Sequence, residues 1–164
     1  MPPAPFRVDH LAFPARDLAA TDDFYSRVLK ARLVRAESGY SPAWKSDYLL
    51  ITFVLPDGTR LSFYDWPADK GPYADDPDMP ETVFHIGLCC GTAQDVIAWQ
   101  NHLFTHKVVY HNEDDGTSRR LYIRDPNGIR FEIFADGTRR EQAVVDQDDR
   151  ARAIYEQWRQ AGGG

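Results

Sequence analysis

Residues 123–134, "IRDPNGIRFEIF", repeat the design of residues 53–64, "FVLPDGTRLSFY": a short apolar run, Pro-x-Gly-x-Arg, and a second apolar run. In both, Pro suits the start of a type I turn and Gly supplies the left-handed residue that closes a three-residue hairpin loop. Such a loop fixes the pairing of its flanking strands. If Asp125 faces Ile129, Tyr122 must face Glu132, and in the earlier copy Thr52 must face Ser62.

Side chains two apart on a strand share a face. Leu121, Ile123, Phe131 and Ile133 therefore form an apolar side that must meet helices. Arg120, Tyr122, Arg124, Arg130, Glu132 and Phe134 fall on the other side. Working outward, "FRVDHLAF" (6–13) and "TVFHIGLCC" (82–90) alternate as strands. Their parity sends Leu11, Phe13, Ile86 and Leu88 to the helix side and His10 and His85 to the opposite, concave face, where Ala12 and Gly87 leave room. Two half-sites result, His10 with Ser62 and His85 with Glu132.

The whole chain follows the same doubling. "LAATDDFYSRVLK" (18–30) reads as a helix with Phe24, Val28 and Leu29 on one side, followed by strands in "ARLVRAE", "SDYLLITFVL" and "TRLSFYDW". "TAQDVIAWQNHLFTH" (92–106) reads as a second helix capped by Thr92, followed by "KVVYHN", "SRRLYIRD" and "IRFEIFA". Shifted by 75 positions, His10 falls on His85, Phe24 on Trp99, Leu29 on Phe104 and Leu33 on Val108; shifted by 70, Ser62 falls on Glu132. Two such units make a duplicated module rather than a solenoid.

One domain is expected over 1–164: module one at about 6–66, a connector at 67–81 with four prolines, module two at about 82–135, and a C-terminal helix at about 138–160 with Val144, Ala151, Ile154, Tyr155 and Trp158 on one stripe. The 164 residues carry 43% hydrophobic and 27% charged side chains, the balance of a soluble globular domain. A net charge of -6 without a basic run argues against nucleic acid as partner. The absence of a long apolar run argues against a membrane span, and a cytoplasmic location is the expectation. Cys89 and Cys90 are adjacent, poorly placed for a mutual disulfide, and read as free thiols.

At "VDHLAF", "FHIGL" and "LYIRDPNGIRFEIF", in that order and spacing, the chain resembles the vicinal oxygen chelate superfamily over residues 7 to 135. That superfamily includes glyoxalase I, extradiol dioxygenases, methylmalonyl-CoA epimerase, and the fosfomycin- and bleomycin-resistance proteins. The resemblance implies an α+β fold in which two βαβββ modules form a curved mixed sheet around a groove. It also implies a divalent metal held by His10, His85 and Glu132, and a small substrate that chelates it through vicinal oxygens. Two histidines and one carboxylate leave open positions that suit Fe(II) or Mn(II), and also accommodate Zn, Ni or Mg. Pairing of modules between chains makes a homodimer the expectation.

Ser62 stands where glyoxalase I and the epimerase have a Glu or Gln ligand, so a three-ligand site of the extradiol kind is the first reading. A glyoxalase-like lyase or isomerase, a fosfomycin-type thiol transferase and a drug-binding protein are the alternatives. Tyr122, ten residues before Glu132, matches an active-site tyrosine of extradiol enzymes. No histidine between His10 and His85 matches their acid-base histidine, and Ala12 replaces the Thr of the fosfomycin enzymes. Candidate substrate-binding residues are Arg120, as an anion clamp, with His111, Ser62 and Phe134. His102 and His106 are read as a solvated helix face, and Arg124 and Arg130 as solvent-facing near the hairpin tip. Tyr40, Trp44, Tyr48, Trp66 and Tyr73 are read as packing or as walls for an aromatic substrate.

Overall fold

The computed structural model describes residues 8–43, 45–66, 85–114 and 119–135, together with the isolated positions 153, 157 and 160. Module one runs β1 (His10–Pro14), α1 (Leu18–Asp23), one π turn (Phe24–Val28), β2 (Arg32–Ser41), β3 (Ser46–Val54) and β4 (Arg60–Asp65). Module two runs β5 (Ile86–Cys89), α2 (Ala93–Thr105), β6 (Tyr110–Asp114), β7 (Arg119–Arg124) and β8 (Arg130–Phe134). Each module gives a four-stranded sheet of the same order, β1-β4-β3-β2 and β5-β8-β7-β6. Within each, the first strand runs parallel to the last and the other neighbours are antiparallel. The duplicated βαβββ pattern is therefore the α+β architecture of the chain.

The hairpins fix the register as the turns require. Gly58 and Gly128 have φ of 89° and 95°, a conformation that costs L side chains dearly. The Asp125 N–H donates to the Ile129 carbonyl at 2.9 Å, and the paired Cα positions are Thr52 with Ser62 and Tyr122 with Glu132. The apolar side of both sheets meets the helices in one core. Tyr25, Phe53, Phe63, Leu121, Phe131 and Ile133 are among its buried members.

The two helices are built differently. Thr92 caps α2 in a reciprocal capping box with Asp95, and the helix buries Val96 and Leu103. In α1 the N–H of Leu29 donates five residues back, to the Phe24 carbonyl, at 3.0 Å, which inserts an extra residue into the last turn. That residue rotates Leu29 into the core, whereas its repeat partner Phe104, on a regular helix, is 77% exposed. Leu33 is exposed, because β2 is the outer strand of its sheet and presents most of its length to solvent.

Side chains from module one reach the β7–β8 turn of module two. Tyr25 is fully buried, stacks on Phe53, packs at a tilt against Phe63, meets the Phe131 ring edge-on, and donates its hydroxyl to Asp125 Oδ2 at 3.0 Å. Asn127, also fully buried, accepts the Arg16 N–H at 2.8 Å and donates to Thr21 Oγ1 at 3.1 Å.

Three expectations are corrected by these contacts. Arg130 is buried, not solvent-facing, at the foot of the turn that module one contacts through Asp125 and Asn127. His102 is not on a solvated face: its Nε2 donates to the Val28 carbonyl at 2.9 Å, satisfying a group that the π turn leaves open. His106 follows it to a contact with Arg27, and the nearby burial and positive charges hold its pKa below the ordinary imidazole value. The connector at 67–81, Trp44, Tyr73 and the stripe of the expected C-terminal helix lie outside the described residues. Ala153, Gln157 and Gln160 are helical and exposed.

Candidate metal centre

The residues expected on the concave side of module two do gather there. Glu132 on β8 sits opposite Tyr122 on β7, Arg120 opposite Phe134, and His85 immediately before β5, which pairs with β8. Glu132 is only 14% exposed and divides its two oxygens. Oε1 accepts the Tyr122 hydroxyl at 3.2 Å and lies 3.3 Å from Arg120 Nε, whereas Oε2 lies 2.9 Å from His85 Nε2. Two donors thus hold one oxygen and leave the other pointing at the imidazole.

This pair fits a divalent ion. Metal–N and metal–O bonds of about 2.1 Å at right angles put two donors about 3 Å apart, which is the separation observed. His85 Nδ1 is buried and has no hydrogen-bond partner among the described residues. Two donors make half a site. His10 lies on the other sheet, 54% exposed, with its Nδ1 3.0 Å from Asp9 Oδ2. Among the described residues no three His, Cys, Asp or Glu side chains converge on one point within the chain.

The corresponding positions of β3 and β4 in module one are uncharged. Leu50, Thr52, Ser62 and Tyr64 stand where module two has Arg120, Tyr122, Glu132 and Phe134. Ser62 and Thr52 are buried and hydrogen-bonded to each other at 3.0 Å, so Ser62 is occupied as a sheet residue.

One functional candidate went unread in the sequence. Glu113 on β6 faces Arg120, and its Oε2 accepts from the Tyr122 hydroxyl at 3.2 Å and from Arg120 at 3.4 Å. The expected strand stopped at Asn112; continuing its alternation one residue past His111 and Asn112 would have put Glu113 on the site face with His111. Burial, followed by the charges of Glu132 and Glu113, pushes the Tyr122 pKa upward, so the phenol keeps its proton. The His111 ring lies 6.3 Å from the Tyr122 ring, on the same face. Beside them opens a cavity of about 500 Å³ walled by Phe24, Val108, Tyr110 and Ile123, with Arg124 and Asp125 also in its lining.

On the opposite edge of module two, Cys90 donates its thiol to the Phe134 carbonyl at 3.3 Å, and burial raises its pKa to about 11. It is an inert structural thiol at neutral pH. No helix among the described residues is long and apolar enough to cross a membrane.

Comparison with solved structures returns the same architecture. The chain is similar to a glyoxylase/bleomycin resistance protein/dioxygenase domain from Frankia sp. EAN1pec, with a TM-score of 0.64 and 15% identity over 80% of this chain and 98% of that one. It is similar to the trypanothione-dependent glyoxalase I of Leishmania major, with a TM-score of 0.64 and 20% identity over 90% and 99%. A variant of the fosfomycin resistance protein FosX from Listeria monocytogenes, solved with Mn(II) and dihydroxypropylphosphonic acid, gives 0.59 and 16% over 84% and 97%. At these identities the likeness concerns the fold. No curated protein matches the sequence. The family model described as Glyoxalase/Bleomycin resistance protein/Dioxygenase superfamily matches residues 7–133, and the chain belongs to that superfamily.

Proposed function

We propose that this protein is a divalent-metal-dependent enzyme acting on a small substrate that offers two adjacent oxygens. His85 and Glu132 supply two ligands, and His10 supplies the third from a second copy of the chain. The observation that carries the reading is the 2.9 Å approach of His85 Nε2 to the one Glu132 oxygen that Tyr122 and Arg120 leave available. When bound, the ion supplies Lewis acidity and, as Fe(II), the capacity to activate oxygen.

The chain's own residues do the rest. Arg120 and Tyr122 orient the carboxylate of Glu132. Tyr122, kept protonated, shares its single O–H between Glu132 and Glu113 in the free chain, and would stabilise charge developing on a substrate oxygen by turning that O–H to it. The largely apolar cavity beside His111 and Tyr122 has the size and lining for an aromatic body. Extradiol-type ring opening of a catechol-like compound is accordingly the first reaction to assay. Glu113 favours a second reading: it is a carboxylate on the site face outside the His85–Glu132 pair, in a position to take a proton in lyase or isomerase chemistry.

Elemental analysis of protein purified without chelator or affinity tag tests the reading, with Glu132→Ala in parallel. About one Fe, Mn, Zn or Ni per chain is expected in the wild type and none in the variant. Glu113 remains to accept from Arg120 and Tyr122, so the variant should still fold. No metal after anaerobic reconstitution would overturn the proposal, and turnover of no catechol by the Fe(II) form would remove ring opening.

A further inference from the structure

The two histidines are held in opposite ways. His85 turns Nε2 toward a carboxylate, whereas His10 turns Nδ1 toward one: Asp9 Oδ2 at 3.0 Å. A carboxylate only accepts, so the single proton of neutral His10 belongs on Nδ1 and the lone pair on Nε2. Asp9 is itself fixed from the neighbouring strand. Arg60, the register partner of His10 on β4, reaches Asp9 Oδ1 at 3.4 Å. Among the described residues module two has no counterpart: the residue before His85 in sequence is Phe84, and His85 Nδ1 has no partner there.

We infer that Asp9 is a positioning residue which presets His10 as an Nε2 ligand, fixing its tautomer and ring orientation before any ion arrives. This rests on the metal reading above for the use of His10, but the preset itself exists in the metal-free chain. Outer partners of this kind set metal affinity, and losing one weakens binding about 10–100-fold. A surface ion pair between two half-exposed neighbours, by contrast, adds little to folding.

Two measurements on the full chain test it. Long-range ¹H–¹⁵N correlation spectra of metal-free protein in alkaline buffer, with His10→Ala to assign the ring, should show His10 as the Nδ1–H tautomer and His85 as Nε2–H. Asp9→Ala should release the His10 tautomer and leave His85 unchanged. Titration of metal-free protein with Mn(II) and Zn(II) should give dissociation constants about 10–100-fold weaker for Asp9→Ala. Asp9→Asn should weaken less, because its amide oxygen can still accept from Nδ1. The melting temperature of the metal-free variants should match the wild type. An unchanged His10 tautomer in Asp9→Ala, or wild-type affinity in that variant when His10→Ala abolishes binding, would overturn the inference. Wild-type protein that binds neither ion, or binding indifferent to His10→Ala, would overturn the metal reading while leaving the tautomer result to decide the preset.

Discussion

Asp125 accepts from four donors inside the molecule: the N–H groups of Asn127 and Ile129, the Asn127 side-chain amide, and the Tyr25 hydroxyl. Burial nevertheless dominates and raises its pKa above the ordinary carboxylate value, with the four donors pulling it part of the way back. A raised folded pKa means that the native state binds the proton more tightly than the unfolded chain. The contribution of Asp125 is therefore fully present below the unfolded pKa of about 4 and is lost as pH rises through the folded value. Urea midpoints in Asp125→Asn should lose that component of the slope above about pH 4. The substitution should also cost about 1–3 kcal/mol at neutral pH, because an amide has one acceptor where two oxygens served four donors. An unchanged midpoint would show that the carboxylate is not a structural acceptor. This residue was legible only as part of a turn. Its burial depends on Tyr25, 100 positions away in sequence, which no local pattern displays.

The strands carried the most readable information. Each Pro-x-Gly turn fixed a register, and period-two alternation then placed Tyr122, Glu132 and Arg120 on one face before any coordinates were needed. Glu113 escaped because β6 runs two residues beyond the apolar pattern that announced it. The helices of the two modules were read correctly as helices but not as unequal ones, since a π turn leaves no periodic mark. It appears in the burial of Leu29 against the exposure of Phe104. The turns offer a clean test at this scale. A Cβ on Gly58 would meet no atom within 4 Å, so Gly58→Ala should report backbone strain alone. We expect a loss of about 1–2 kcal/mol by denaturant unfolding, the cost of an L residue in the left-handed region. A neutral result would mean the loop relaxes to another turn type.

Among the described residues, both sheets end at the strand that begins the module, β1 in one and β5 in the other. His10 opens the first of these strands and His85 immediately precedes the second. Within one chain, among the described residues, His85 meets Glu132 but His10 does not join them. A two-fold partner that brings its β1 beside β5 would complete two equivalent sites. Subunit mixing distinguishes this from a site within one chain. His10→Ala and Glu132→Ala should each bind no metal alone. Mixed and re-equilibrated, they should recover about one site per four chains, as random pairing into two-fold dimers gives. No recovery despite exchange would place all three ligands in a single chain. The sequence could show which residues share a face, but it could not show whose neighbouring copy they serve, because pairing across a sheet edge leaves no signature in either strand.

The contacts of Tyr25, Thr21 and Arg16 with the β7–β8 turn join the halves without using the segment that links them in sequence. Peptide continuity between the modules is then dispensable for their recognition. Two separately expressed pieces, 1–70 and 78–164, should find each other and restore the near-ultraviolet signal of the packed aromatics. Asn127→Ala should weaken that reassembly more than it weakens the intact chain, because the uncut protein keeps its halves together at a high effective concentration.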